Sequence, residues 1–367
     1  MAGSIYGRLF QISTWGESHG KGIGVVVDGC PAGLELSEAD IQIFLDRRKP
    51  GQTIYSTPRV EADEVEILSG VYEGKTTGTP ISMVVYNRRQ RSADYSDIAN
   101  YYRPGHADYT FDMKYGFRDP RGGGRTSGRE TTARVAGGAI AMKILKTLGI
   151  DIYAYSKEIG GIQIDYNNFN REEISRNPVC MPDKDAAVNV GEYLKAQMER
   201  KDSVGGIIEC VITKMPVGVG EPVFDKLEAN LAKAIMSIGA IRGFEIGDGF
   251  DVAKRVGSEN NDQLRYNENG QIVKESNHAG GVAGGLSDGA EIIFRAAVKA
   301  TSSIERTQRT VNKCGENIDV NIKGRHDPII VPRAVVVVEA MAALTVLDLL
   351  FVGMTSKLDN LKKFFID

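Results

Sequence analysis

The stretch VVVVEAMAALTVLDLLFVGM, residues 335–354, decides the fold because it is long and apolar enough to cross a membrane. It also contains Glu339 and Asp348. An acidic side chain near the centre of a bilayer costs about 2.5–3.5 kcal/mol on insertion scales. We therefore predict that this segment is a buried core helix and that the chain does not associate with a membrane.

Outward from this helix, apolar residues recur with two different periods. Period-2 runs, typical of strands, occupy Ile23–Asp28, Ile81–Asn87, Ile207–Thr213, Ile292–Val298 and Ile318–Ile322. Helical patterns occupy Ser37–Arg48, Ser127–Leu148, Asp185–Arg200, Val223–Ile238 and Arg333–Phe351. Because strands and helices do not alternate regularly, we predict an α+β fold with mostly antiparallel sheets. No low-complexity linker divides the chain, so we predict a single domain over residues 1–367.

The composition excludes several classes of protein. The formal net charge is −3 and there is one tryptophan, which argues against nucleic-acid binding. Four scattered cysteines without a CxxC pair predict neither disulfides nor a zinc site, and they favour a cytoplasmic location. The first residues, MAGSIYGRLF, lack the apolar region of a signal peptide, so none is expected.

The segment GGGRTSGRET, residues 122–131, combines glycines with two arginines before a predicted helix. Ser127 and Glu130 match a capping box, in which each side chain satisfies a free backbone amide. A helix start of this kind binds anions, and the guanidinium groups of Arg125 and Arg129 would reinforce it. A glycine turn with solvated arginines is the alternative. Neither a Walker A loop nor a Rossmann fingerprint is present, because GVYEGKT (residues 70–76) is one residue short and GKGIG precedes a strand.

The four histidines, His19, His106, His278 and His326, all lie in loop-like segments beside glycine, arginine or proline. No pair has H-x-x-x-H spacing, so no metal site is predicted. A lone histidine is more often structural, but four in such segments favour acid–base chemistry. After SNHAGGVAGG, the segment Lys299–Ser303 (KATSS) offers a second edge for an anion or cofactor, or is a flexible loop.

Seven ordered blocks resemble the chorismate synthase family: GESHG, RRKPGQ, YRPGHADYT, RGGGRTSGRET, SNHAGGVAGG, TSSI and GRHDP. The resemblance extends from about residue 5 to residue 350. It implies a β-α-β sandwich, assembled as a homotetramer. It also implies loss of phosphate and a C6 hydrogen from 5-enolpyruvylshikimate 3-phosphate, an anti-1,4-elimination that ends the shikimate pathway and requires reduced FMN without net redox change.

The resemblance also assigns roles to residues. His19 would be the acid that protonates the leaving phosphate, His106 would protonate or stabilise the reduced flavin, and Asp327 would hold flavin N5 ready to take the C6 hydrogen. Ser18 and Ser127 would relay protons. The substrate would be bound by Arg48, Arg103, Arg129 and Arg325. The flavin would contact Arg125, Thr126, Ser127, Gly239, Ala240, Gly284, Lys299, Ala300, Thr301, Ser302, Ser303 and Arg325.

Three residues depart from the family pattern. Ile54 stands where many members have an arginine, so one anion contact is missing or is replaced, with Arg59 as a candidate. Ala300 replaces a usual proline, and Gly128 makes the entry to the helix more flexible. None of the three removes a proposed catalytic group.

Two alternatives remain at this point. A non-catalytic protein that binds a flavin or nucleotide phosphate would use the same arginines and glycines without needing His19, His106 or Asp327. A different phosphate lyase or a kinase is the second, although the missing Walker loop argues against the kinase. Without a Rossmann motif, we expect an external flavin reductase or other source of reduced flavin, in preference to an intrinsic NAD(P)H-driven activity.

Overall fold

The computed structural model of the chain describes residues 3–51, 53–56, 61–88, 97–322 and 327–366, without the side chains of residues 97 and 98. Three residues considered above, Arg59, Arg325 and His326, lie outside the described residues.

Sheet I consists of five antiparallel strands. In spatial order they are β1 (Ile5–Tyr6), β2 (Gln11–Gly16), β3 (Gly22–Asp28), β7 (Ile81–Tyr86) and β4 (Val65–Ile67). In β3 the alternating Ile23, Val25 and Val27 are at most 1% exposed, because they face the helices that cover this sheet. The apolar alternation that predicted this strand is therefore its inward face.

Sheet II is also antiparallel and has five strands. In spatial order they are β11 (Ile241–Ile246), β16 (Ile292–Val298), β10 (Gly206–Thr213), β8 (Asp151–Ile159) and β9 (Ile162–Gln163). Ile208, Cys210 and Ile212 of β10 are fully buried.

Four two-stranded hairpins complete the described strands. They are β5 (Val71–Tyr72) with β6 (Lys75–Thr76), β12 (Leu264–Tyr266) with β13 (Ile272–Lys274), β14 (Val282–Ala283) with β15 (Leu286–Ser287), and β17 (Thr307–Val311) with β18 (Asn317–Asn321).

A layer of helices lies between the two sheets. The α-helices in the described ranges are α1 (Glu38–Arg48), α2 (Asp108–Tyr115), α3 (Thr131–Thr147), α4 (Lys184–Glu199), α5 (Leu227–Met236), α6 (Gly257–Asn260), α7 (Val331–Gly353) and α8 (Leu358–Phe365). Helices α1 and α3 pack on sheet I, α5 and α7 pack on sheet II, and α3 packs against α7. The α+β class and the β-α-β sandwich are thereby confirmed.

Helix α7 is the long apolar segment that opened the sequence analysis, and it is a buried core helix as predicted. It passes the length and hydropathy test for a membrane span, yet 83% of its most apolar window is buried inside the protein. Both of its acids are buried and paired. Glu339 accepts hydrogen bonds from Arg47 at 2.6 and 2.9 Å and from the amide of Ala154 at 2.9 Å. Asp348 accepts from three successive amides, those of residues 8–10, at 2.8 to 3.1 Å.

The start of the predicted helix Ser127–Leu148 was wrong in detail. Two 3-10 turns, Gly124–Thr126 and Gly128–Glu130, precede α3, which begins at Thr131. Ser127 does cap a turn by accepting from the Arg129 amide at 3.3 Å. The reciprocal half of the capping box is not formed, because Glu130 pairs with Arg134 at 2.9 Å while the Ser127 amide donates to Gly124.

Candidate active site

His19 lies in the loop between β2 and β3, where it is 7% exposed. Its Nδ1 lies 3.0 Å from the hydroxyl of Ser18, which is also buried. The segment 122–131, called the glycine loop below, lies directly against this pair. Gly122 has φ +69, and a Cβ there would come within 2.7 Å of the His19 ring and 3.1 Å of Ser18 Oγ. Only glycine permits this approach.

Arg103 connects the glycine loop to the second histidine. It donates from Nη2 to the carbonyl of Gly122 at 3.2 Å, and its own carbonyl accepts from the amide of His106 at 3.2 Å. Its guanidinium is held by both oxygens of Asp108 at 2.8 Å. His19 is therefore linked to the backbone of His106 through Gly122 and Arg103.

His106 is fixed through both ring nitrogens. Nδ1 lies 3.0 Å from the carbonyl of Pro104, and Nε2 lies 2.9 Å from the hydroxyl of Ser303. Because a carbonyl can only accept, Nδ1 carries the proton and Nε2 accepts from Ser303. Burial, and then the nearby Arg103 charge, hold the pKa of His106 below its usual 6.5. The imidazole is therefore neutral at pH 7, with its Nε2 lone pair turned to Ser303.

The segment Lys299–Ser303 brings further polar groups to His106. Lys299 Nζ donates to the carbonyl of Gly105 at 3.2 Å and to Ser302, and the Ser302 hydroxyl donates to the same carbonyl at 3.0 Å. The Thr301 hydroxyl is buried and has no hydrogen-bond partner among the described residues. Such a group is available to a ligand. Burial and the neighbouring Arg242 lower the pKa of Lys299.

The turns around Arg125 approach this segment through the end of α5. Arg125 donates to the hydroxyl of Thr14 at 2.8 Å and to the carbonyl of Gly16 at 3.2 Å. A Cβ on Gly239 would lie 4.0 Å from the carbonyl of Thr126. The next residue, Ala240, has φ +72, and its carbonyl accepts from the Lys299 amide at 2.9 Å.

Fewer backbone amides of the glycine loop are free to bind an anion than the sequence predicted. The amides of Thr126, Ser127 and Glu130 donate to carbonyls of the same loop, and that of Arg129 donates to the Ser127 hydroxyl. Positive charge for an anion at this loop must then come mainly from side chains.

Arg48 and Arg129 form a buried cluster with two acids. Both guanidinium groups bind Asp63, one to each carboxylate oxygen, and Arg129 also lies 2.9 Å from Glu61. Arg129 Nε donates to Asn87 at 2.9 Å. Burial lowers the pKa of Arg48 to about 10, although Asp63 opposes this. Arg48 Nε is buried without a hydrogen-bond partner in the described part of the chain.

Asp327 is joined to this cluster through Arg333, the third residue of α7. Arg333 binds Asp327 through Nη1 and donates from Nε to the carbonyl of Arg48 at 3.0 Å. Arg333 thus holds both Asp327, predicted to act on the flavin, and Arg48, predicted to bind the substrate.

For two predicted flavin residues, Gly284 and Ala300, the described structure shows no side-chain contact with the residues above. Gly284 lies in the β14–β15 turn, and its neighbour Gly285 packs on Lys226, at the start of α5. Gly239 follows the other end of α5, and a ten-residue helix is about 15 Å long. The described contacts therefore do not bring Gly284 to the site. Ala300 contributes its backbone, which packs against Gly205.

The sequence did not reveal the residues that bind the predicted site arginines and Asp327. These are Glu61, Asp63, Asn87, Asp108 and Arg333. The segment EADE, residues 61–64, is charged, but nothing in its spacing shows which residues it would meet. Asp63 gives a structural signal, since its φ of +50 is unusual for a residue other than glycine.

The charges divide into two sets. Arg48, Arg103 and Arg129 are each matched by a buried carboxylate. Among the described residues, Arg125 and Lys299 contact neutral oxygen atoms. Two buried imidazoles in a region with several cations are what is expected of an enzyme that performs acid–base chemistry on an anionic substrate.

Comparison with known proteins gives the family. The family model for chorismate synthase matches residues 10–351. Chorismate synthases of Lachnoclostridium phytofermentans and Lachnospira eligens are each 66% identical over 365 residues, covering 100% of both chains. That of Methanosarcina mazei is 54% identical and covers 95% of this chain and 96% of its own. A crystal structure of chorismate synthase superposes with a TM-score of 0.77 at 31% identity, covering 98% of this chain and 97% of that chain.

The chain belongs to the chorismate synthase family. It is accordingly a lyase that acts on a phosphate-bearing substrate and forms chorismate in the shikimate pathway.

Proposed function

We propose that the chain eliminates phosphate from 5-enolpyruvylshikimate 3-phosphate at the contacts that run from His19 through Gly122 and Arg103 to His106. The supporting observation is that one buried arginine touches the glycine packed on the first histidine and the backbone of the second. In this proposal the substrate phosphate is bound beside Arg103.

His19 is the general acid for the departing phosphate in this proposal. Its Nδ1 is engaged with Ser18, so a proton passed along that hydroxyl could renew it. Ser127 caps the adjoining turn and stays a proposed relay on the same loop. A well-placed general acid contributes typically about 10²–10⁴-fold in rate.

The substrate carries a phosphate and two carboxylates, and burying them requires paired cations. Arg48, Arg103 and Arg129, each already paired with a buried carboxylate, would donate further hydrogen bonds to the substrate anions, with Arg325 as the fourth proposed ligand. Arg48 Nε has no hydrogen-bond partner among the described residues, which supports this assignment, because a ligand oxygen would satisfy a buried donor that otherwise costs about 1–3 kcal/mol.

Reduced FMN is the proposed cofactor, and the residues present fit its phosphate. Arg125 and Lys299 carry charge that described carboxylates do not match. The Thr301 hydroxyl, which has no hydrogen-bond partner in the described ranges, lies in the same segment as Lys299. The other proposed contacts are Thr126, Ser127, Gly239, Ala240, Gly284, Ala300, Ser302, Ser303 and Arg325. When bound, reduced FMN would supply electron density to the elimination and accept the C6 hydrogen.

His106 and Asp327 would face the flavin. The neutral His106 would receive a proton at Nε2 by way of Ser303 and, once protonated, return it by the same hydroxyl. Asp327 is held in place by Arg333. We further propose a single domain, a homotetramer, a cytoplasmic location and an external source of reduced flavin.

An anaerobic assay tests the proposal directly. The protein is mixed with photoreduced FMN and 5-enolpyruvylshikimate 3-phosphate, and chorismate is followed by its ultraviolet absorbance. We expect turnover with reduced FMN and none with oxidised FMN. His106→Ala should abolish most turnover while FMN binding survives. Absence of product from well-folded wild-type protein would refute the proposed reaction, and full turnover by H106A would refute the role of His106.

A further inference from the structure

Asp63 lies between the two arginines at the buried end of the site. Its carboxylate is fully buried, with one oxygen on Arg48 and the other on Arg129. Two like charges this close repel each other in a medium of low dielectric constant, so a shared anion is needed to hold them together. Although burial by itself raises the pKa of the Asp63 carboxyl, these two guanidinium groups hold it below its usual value.

The backbone of Asp63 is strained. Its φ of +50 lies in the left-handed region, which a residue other than glycine keeps only where its surroundings impose it. Strain of this kind concentrates at functional sites, where it places a side chain that relaxed backbone would turn elsewhere.

The arginines keep donors that Asp63 does not use. Arg48 Nε is buried without a hydrogen-bond partner in the described ranges, and Arg48 Nη1 makes only a long contact of 3.4 Å with the carbonyl of Gly128. A purely structural ion cluster would be expected to satisfy its buried donors. Here the carboxylate fixes one edge of the Arg48 guanidinium and leaves another edge for an additional oxygen.

We propose that Asp63 is a positioning residue that sets the spacing of Arg48 and Arg129, so that the pair receives an anionic group of the substrate. Glu61 adds a second carboxylate beside Arg129, at 2.9 Å. Asp63 itself touches no reacting atom. The inference rests on the proposed function, because it takes these two arginines as substrate ligands.

The test compares Asp63→Asn with a matched control, Glu339→Gln. Glu339 is also a buried carboxylate bound to an arginine, but it holds Arg47 on the α7 side. Asparagine tolerates the left-handed backbone, so D63N removes the charge without relaxing the chain. We expect D63N to raise KM for the substrate at least about tenfold with a smaller change in kcat, because binding common to ground and transition states is lost. E339Q should change KM less than about twofold, since its loss is one of stability alone.

Asp63→Glu provides a second variant if D63N fails to fold. It keeps the charge but lengthens the side chain by one methylene, so it should alter the arginine spacing and raise KM. A folded D63N or D63E with wild-type KM would overturn the inference and leave the proposed function standing. Wild-type protein without turnover would instead remove the proposed function itself.

Discussion

A methyl group on Gly122 should disable His19 without unfolding the protein. In Gly122→Ala the new Cβ would lie 2.7 Å from Cε1 and Nδ1 of His19 and 3.1 Å from Ser18 Oγ. Carbon contacts normally lie at about 3.5–4.0 Å, so the ring must move by about 1 Å. A displacement of about 1 Å in a catalytic group costs about 10²-fold. We expect kcat in the anaerobic assay to fall about a hundredfold.

Gly124→Ala is the matched control for this variant. Gly124 also has a positive φ, +51, but a Cβ there would meet nothing within 4 Å. Both substitutions should therefore lower the free energy of unfolding by about 1–2 kcal/mol, because alanine is unfavourable in left-handed backbone. Only in G122A does the new methyl group collide with His19. G124A should keep kcat within about threefold of wild type while losing similar stability. Equal kcat values in the two variants, at equal folded fraction, would refute the placement of His19 in the reaction.

Three further predictions concern pH, stability and the attachment of Asp327. Because burial holds the pKa of His106 below 6.5, the unfolded chain takes up a proton first as the pH falls. The contribution of this residue to stability should therefore be complete above about pH 6.5 and lost below it, as seen in urea unfolding of wild type but not of H106Q. Asp348→Ala should lower the free energy of unfolding by about 3 kcal/mol, because three amides lose their acceptor, with turnover kept per folded molecule. Arg333→Lys should lower kcat about tenfold, because a lysine ammonium cannot hold both Asp327 and the carbonyl of Arg48 in the geometry that the guanidinium fixes.

Each of these has an outcome that would contradict it. Identical pH dependence of unfolding in wild type and H106Q would remove His106 as the titrating group. Asp359→Ala, at an 84% exposed side chain, serves as the control for D348A and should cost no more than about 0.5 kcal/mol. Equal losses in the two variants would contradict the role of the buried carboxylate. A wild-type kcat in R333K would contradict the prediction that Arg333 positions Asp327 for the reaction.

The elements that the sequence predicted are those whose burial follows a simple period. Strands β3, β7, β10 and β16 were found because one or both faces are apolar. Strands β2 (QISTWG) and β8 (DIYAYSKEI) were missed because polar and aromatic residues interrupt their alternation. The start of α3 was placed too early because Glu130 is taken by Arg134, a competition that a local capping pattern does not reveal.

The candidate site divides in the same way. The glycine loop and all four histidines stand out by residue type in short segments, and the family resemblance then selected His19 and His106. The acids that hold the arginines could not be predicted, because Asp63 meets Arg129 across 66 positions of sequence. Which cations are neutralised and which keep their charge is a property of the folded chain. Sequence alone treats Arg125 and Arg103 alike, while the structure separates them by their partners.

A crystal structure of the protein with oxidised FMN and 5-enolpyruvylshikimate 3-phosphate would test the central claim most directly. Our account predicts that the substrate phosphate lies within hydrogen-bond reach of His19 and that the flavin ring lies against His106, with Lys299 and Arg125 near the flavin phosphate. Ligands bound at a place that none of these four side chains reaches would contradict it.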